Sequence, residues 1–155
     1  MVRDSKEISE SKRDAVFDLI HSVAASVSVV IVPAAEVDSR GVHAANLDGM
    51  RRAVQGLSIE PAYVLTDGYA IEGLGVPNLA VWKGDQVVVS ISAASVIAKV
   101  TRDRIMRELD EEFPQYGFAG HKGYITAAHT KALNEHGPCA EHRTSFANVA
   151  ALIHK

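Results

Sequence analysis

The chain has one cysteine, Cys139, in 155 residues. That excludes an intrachain disulfide framework and a zinc site built on cysteines, and it fits a reducing compartment, so a cytoplasmic location is expected. No apolar run approaches the roughly 20 residues that a membrane-spanning helix needs. The opening residues MVRDSKEISESKRD are polar and contain no apolar signal region. Positive charge is not in excess either. The formal net charge of −3 gives no whole-molecule attraction to nucleic acid, so any phosphate site must be a local patch. A Ser/His/Asp triad signature, a glycine-rich nucleotide loop, internal repeats and low-complexity tracts are all missing. What is there is ordinary: 47% apolar and 23% charged residues, the balance of one globular domain with a real core.

Hydrophobic spacing organises the chain. Phe17, Ile20 and Ala24 fall on one face of a helix over about 9–25, with Ser11 as its N-cap. The β-branched run 27–32, stopped by Pro33, reads as a buried strand. Residues 34–40 fit neither period. Leu47, Met50, Val54 and Leu57 mark a helix over about 42–57, which Gly56 can end. A short apolar strand at 63–65 leads to Thr66-Asp67-Gly68, a loop follows over 69–77, and a third strand at 78–82 leads to Lys83-Gly84-Asp85. Residues 86–89 continue that strand or form a small extra one. A long helix over about 92–113 presents Ala94, Ile97, Ala98, Thr101, Ile105 and Leu109 on one face and stops at Pro114. A glycine- and aromatic-rich loop (116–124), a helix capped by Thr126 and a last helix over about 145–153 complete the chain. Strands alternating with long helices predict an α/β domain with a mostly parallel sheet. Three strands make a thin sheet for this length.

Chemistry concentrates between Tyr63 and Asp103. Asp67 and Asp85 each sit beside a glycine at a strand end, where ligands of open α/β sheets bind. Two carboxylates brought together there repel unless a divalent cation bridges them, and Mg²⁺ or Mn²⁺ suits such oxygens. Asp-Gly and Gly-Asp are equally turn dipeptides, so spacing alone leaves both readings open. The long helix places Lys99, Arg102, Arg104 and Arg107 before an acidic end, against the helix dipole. This suits phosphate, or simply a solvated face. The loop Gly120-His121-Lys122-Gly123-Tyr124 combines cationic and aromatic residues able to meet a nucleic-acid backbone. The same loop can serve only to anchor core tyrosines. His142-Arg143-Thr144-Ser145-Phe146 forms a second candidate phosphate contact near a helix start. Five of the seven histidines follow Pro114 at spacings that match no zinc pattern, and are read as solvent-facing or satisfied in the core.

In their order, Asp4-Ser5-Lys6, YVLTDG, WKGD, ISAASVIAKVTRD, FPQYGF, HKGY, NEHG and HRTSF resemble the bacterial ribonuclease HII family, the type 2 ribonucleases H, as far as about Val149. The resemblance implies a ribonuclease H-like α/β fold, a mixed sheet flanked by helices, in one domain over 1–155 with a helical part from about 114. It also implies an endonuclease that cuts the RNA strand of RNA/DNA hybrids and incises duplex DNA at single ribonucleotides, leaving 5′-phosphate and 3′-hydroxyl ends. Four carboxylates binding Mg²⁺ or Mn²⁺ serve that activity, and Asp67 and Asp85 match two of them. Tyr124 matches the tyrosine that packs on the sugar at the RNA-to-DNA junction. Lys6, Lys99, His121, Lys122 and, with its phosphate-like setting, Arg143 are expected along the nucleic-acid path. No membrane association is expected, and no obligate protein partner is evident in the sequence.

The chain departs from the family in lacking an Asp-Glu-Ala-Gly-Arg-Gly motif, which carries the other two carboxylates and lies on the first strand. A truncated fold without its first strands is therefore expected, with an exposed sheet edge and apolar surface that favour association. A catalytically silent nucleic-acid-binding remnant is the alternative reading. Thr144 stands where family members commonly carry a second arginine.

Overall fold

The computed structural model describes residues 9–153; Lys6 lies outside them. The chain divides into two compact units. The first holds the described residues of Met1–Ile31 with Asn46–Val100, the second Val32–Ala45 with the described residues of Thr101–Lys155.

In the first unit, α1 (Glu10–Val23) and the start of α5 (Val89–Glu112) bury one cluster: Ile20, Val96, Ile97 and Val100, flanked by Val16, Phe17, Val27 and Ala93. Val96 is fully enclosed, which stabilises the fold by about 1.5–3 kcal/mol relative to an exposed side chain. The N-cap of α1 is Ser9 rather than Ser11, and makes no side-chain capping bond. On α5 the buried stripe is rotated from the expected one. Ala94 and Ala98 are exposed, whereas Ile91, Ser92, Val96 and Val100 face inward. Alanines fit either face, so the larger β-branched side chains decide which side is covered.

Two four-residue strands, β1 (Val64–Asp67) and β2 (Asn78–Val81), pair in parallel, with Val64 opposite Asn78 and Asp67 opposite Val81. Among the described residues this is the whole sheet, so the expected strand at 27–32 is not one. Its β-branched residues lack a ladder partner, and propensity without pairing does not make a strand. The segment is tied down otherwise: Ser58 N–H and hydroxyl both lie 3.0 Å from Ser26 Oγ, and a β-carbon added at Gly56 would come 2.5 Å from Ser28 Oγ. One sheet face is buried through Val64 and Thr66. The other shows the opposed pair Leu65 and Leu79, with Tyr63 and Trp82 nearby in sequence, all exposed. The apolar surface expected from the sequence is therefore present.

Residues 86–89 also depart from expectation. None of them is strand: Gln86 and Val87 end a single helical turn, α4 (Gly84–Val87), and Val89 opens α5. Lys83, left-handed at φ 51°, ends the extended run, and the Gly84 N–H turns to the Asp67 carboxylate instead of a ladder. A β-carbon at Gly84 would lie 2.5 Å from Ile91 Cδ1, so a larger residue here forces that side chain on α5 to shift. Helix α3 (Val42–Gln55) stops at Gly56 as expected.

In the second unit the unassigned stretch 34–40 is a helix, α2 (Ala34–Arg40), started by Pro33 and closed by Gly41 at φ 80°. The core gathers Met106, Tyr116, Phe118, Ala132 and Leu133. It draws on the second half of α5, a 3₁₀ turn at Pro114–Tyr116, the short α6 (Phe118–His121) and α7 (Ala127–His136). Thr126 caps α7 by accepting the His129 N–H at 3.1 Å, as its sequence position implies. Helix α8 (Ala147–Ile153) buries Val149.

Candidate nucleic-acid and metal site

The parallel register brings the C-terminal ends of β1 and β2 to one edge. Asp67 is the last residue of β1, and Asp85 opens α4 just beyond β2. Asp67 Oδ1 accepts the N–H of Gly84, the residue before Asp85, at 2.9 Å. That bond seats the residue before Asp85 on the Asp67 carboxylate. The turn behind Asp67 is fixed too. Thr66, buried, donates its hydroxyl to the Tyr69 carbonyl, and Gly68 N–H donates to Val81 O at 3.0 Å. Asn78 clasps Ile71 through both its N–H and carbonyl, at 3.0 and 2.9 Å. Asp67 is exposed, Asp85 half-buried, and the Asp85 carboxylate has no hydrogen-bond partner among the described residues. Lone pairs therefore remain on both side chains for a hard cation. Lys99, half-buried, lies on α5 in the same unit. No group of three or more His, Cys, Asp or Glu that could hold a metal forms among the described residues.

The other candidates belong to the second unit. His121, Lys122 and Tyr124 share one turn. The His121 ring is bound at both nitrogens. Nδ1 accepts the Gly123 N–H (3.1 Å), so Nε2 carries the proton and donates to Tyr116 O (2.9 Å). Tyr116 is buried and donates its hydroxyl to Gly137 O at 2.7 Å, whereas the Tyr124 ring is 63% exposed. The two tyrosines of this stretch thus divide between core and surface.

Arg143 lies over the Phe146 ring, 4.0 Å from its centroid. Burial and then Arg102 pull its pKa below the ordinary value, with Asp38 opposing them. Asp38 is a site residue that the sequence did not suggest. Its carboxylate accepts from the Ser145 hydroxyl (2.6 Å) and amide (3.0 Å) and from the Thr144 hydroxyl and amide (both 2.7 Å). These bonds, the Ser145 hydroxyl foremost, hold Asp38 well below the usual carboxylate range and fix the residues after Arg143. With the partners 106 positions apart in the chain, no local signal announces the clamp. Thr144, the departure from the family pattern, is one of its donors.

His129 and His142 are buried, and their Nε2 atoms lie 3.2 Å apart. Burial holds both below the ordinary histidine value of 6.5. The unfolded chain therefore takes up protons below about pH 6.5 that the folded chain refuses. The contribution of these two histidines to stability is expected to be level above that value and to fall progressively as the pH drops below it. Urea denaturation midpoints across this window check it; a midpoint that rises toward acid contradicts it.

Among solved structures, the ribonuclease H2 from Pyrococcus horikoshii OT3 matches 97% of this chain and 79% of its own at a TM-score of 0.81 and 22% identity. Small parallel sheet and flanking helices thus define an α/β protein of the ribonuclease H-like fold. The family model described as Ribonuclease HII matches residues 1–149. Proteins named Ribonuclease HII are 58% identical in Saccharopolyspora erythraea (96% of this chain, 65% of the relative) and 60% identical in Acidothermus cellulolyticus (94% and 48%). The chain belongs to the ribonuclease HII family. It spans about half to two thirds the length of these curated relatives.

Proposed function

We propose that this chain carries the metal-dependent endoribonuclease function of its family. It would cut the RNA strand of RNA/DNA hybrids and incise duplex DNA at single ribonucleotides, leaving 5′-phosphate and 3′-hydroxyl ends. The observation that carries this reading is the Asp67–Gly84 bond, which seats the residue before Asp85 on the Asp67 carboxylate at the sheet edge in a ribonuclease HII chain. Both are hard oxygen donors that fit Mg²⁺ or Mn²⁺. Such ions, when bound as a pair, stabilise charge on the scissile phosphate and its leaving oxygen. The chain's own groups bind and orient. Asp67 and Asp85 anchor the cation, and Lys99, Lys122, Arg143 and Lys6 meet the sugar-phosphate backbone. Tyr124 packs on the sugar at the RNA-to-DNA junction, and His121 closes the turn that presents it. Residues 1–155 act as one ribonuclease H-like domain with a helical part over 114–155, in the cytoplasm, without an obligate protein partner. No helix among the described residues is long and apolar enough to cross a membrane.

The second reading is a catalytically silent nucleic-acid-binding remnant. It is favoured by the absence of a third acidic or histidine ligand beside the pair among the described residues. Two carboxylates leave most of a divalent cation's six positions to water and phosphate. A labelled DNA duplex holding one ribonucleotide, incubated with the chain and Mn²⁺ or Mg²⁺, separates the two. Incision at the 5′ side of the ribonucleotide is the expected result. Binding without incision under either ion establishes the silent reading, and no binding rejects both.

A further inference from the structure

We propose that Arg102 and His129 are positioning residues that hold the Lys122–Tyr124 turn in one presenting conformation. The inference rests on the reading of Lys122 and Tyr124 as nucleic-acid contacts. The turn needs holding. Lys122 and Gly123 are successive left-handed residues, φ 51° and 80°, and the lysine is sterically strained there. A free peptide of this sequence would leave that conformation readily. Here each of three successive residues has a backbone group bound by a side chain. Arg102 Nη2, from α5, donates to Lys122 O at 3.0 Å. His121 Nδ1 accepts the Gly123 N–H, and His129 Nδ1, from α7, lies 3.0 Å from Tyr124 O. The guanidinium also lies against Gly123, where an added β-carbon would come within 3.0 Å of Arg102 Nη2.

The His129 bond depends on one tautomer, which two separate partners dictate. A carbonyl only accepts, so Nδ1 of His129 carries the proton and its Nε2 must accept. The donor at that position is His142 Nε2, 3.2 Å away. It can donate because His142 Nδ1 is occupied from the other side by the Cys139 N–H (3.0 Å) and thiol (3.1 Å). The relay Cys139–His142–His129–Tyr124 thus runs in a single direction and ends on the backbone of the exposed tyrosine. Its ring packing adds rigidity: His121 stacks on His129 at 4.1 Å between centroids. The turn is thereby immobilised before any ligand arrives, which lowers the ordering cost of binding.

The test measures binding of the whole chain to a fluorescent duplex containing one ribonucleotide, without added metal so that nothing is cleaved. Arg102→Met, His129→Leu and Gly123→Ala are each expected to weaken binding by about fivefold to tenfold, with the helical spectrum retained. His129→Asn, whose amide nitrogen can replace Nδ1, recovers most of the loss. In a Tyr124→Ala background, His129→Leu adds little, because it acts through that residue; a general structural defect adds in full. If His129→Leu does not fold, His129→Asn and Arg102→Met decide the matter. Tyr124→Ala weakening binding while Arg102→Met and His129→Leu do not overturns the positioning role alone. Wild-type binding that Lys122→Ala and Tyr124→Ala leave unchanged rejects the contact reading beneath it, and the inference with it.

Discussion

Replacing Asp67 with asparagine is expected to lower Mn²⁺-dependent incision at a single ribonucleotide by roughly 100-fold or more, since an anionic ligand to a catalytic cation carries several kcal/mol of transition-state stabilisation. The substitution is chosen for what it keeps. Asparagine retains Oδ1, so the bond to the Gly84 N–H and the turn it closes survive while the charge is lost. Asp67 is also exposed, so the change leaves no buried group unsatisfied. Asp85→Asn, with a carboxylate that has no bond to lose among the described residues, is expected to give the same loss of rate. In both cases the melting temperature should stay close to that of the parent, and duplex binding without metal should persist. The comparison is made by single-turnover cleavage beside thermal melts. Retention of more than about a tenth of the parental rate in either variant removes the aspartates from the metal-binding role.

Phe118→Ala is expected to cost about 3–5 kcal/mol, the usual range for a buried phenylalanine. The ring is 3% exposed and lies in the centre of the second unit's core. It stacks on Tyr116 with centroids 5.2 Å apart and meets His142 at 5.4 Å and His129 at 6.0 Å. Truncation leaves a cavity beside both buried histidines, admits water to the relay, and so removes the reason they stay neutral. A fall in melting temperature on the order of 10 °C follows for a chain of this size. A fall corresponding to under about 1 kcal/mol shows that the cluster can collapse around the gap. Phe118→Leu fills most of the volume and is expected to recover more than half of the loss.

The periodic parts of the fold were legible because a helix face or a strand run is a local pattern. Phe17 and Ile20, Thr126 before α7 and Gly56 after α3 each carry their own signal. Residues 27–32 misled for the same reason. Their β-branched side chains state a preference, but a strand is a pairing, and no pairing partner for them exists among the described residues. The turn at Gly84 misled because its donor is claimed by Asp67, a tertiary contact across the sheet edge. The rotation of the α5 stripe shows a third limit. Ala94 and Ala98 satisfy the helical period without deciding which face is covered.

By itself the sequence determined the α/β class, the two aspartates at strand ends, the cationic and aromatic character of the His121–Tyr124 turn, and the family to which the ordered motifs belong. These follow from residue type and spacing, which the chain carries whether folded or not. Only the tertiary structure decided that Asp67 binds the Gly84 amide, that Asp38 clamps Thr144 and Ser145, and that Arg102 and His129 seize the carbonyls of Lys122 and Tyr124. Each of these joins residues on different elements. Such a bond needs a donor and an acceptor from separate parts of the chain held in one place, and that proximity does not exist until the chain has folded.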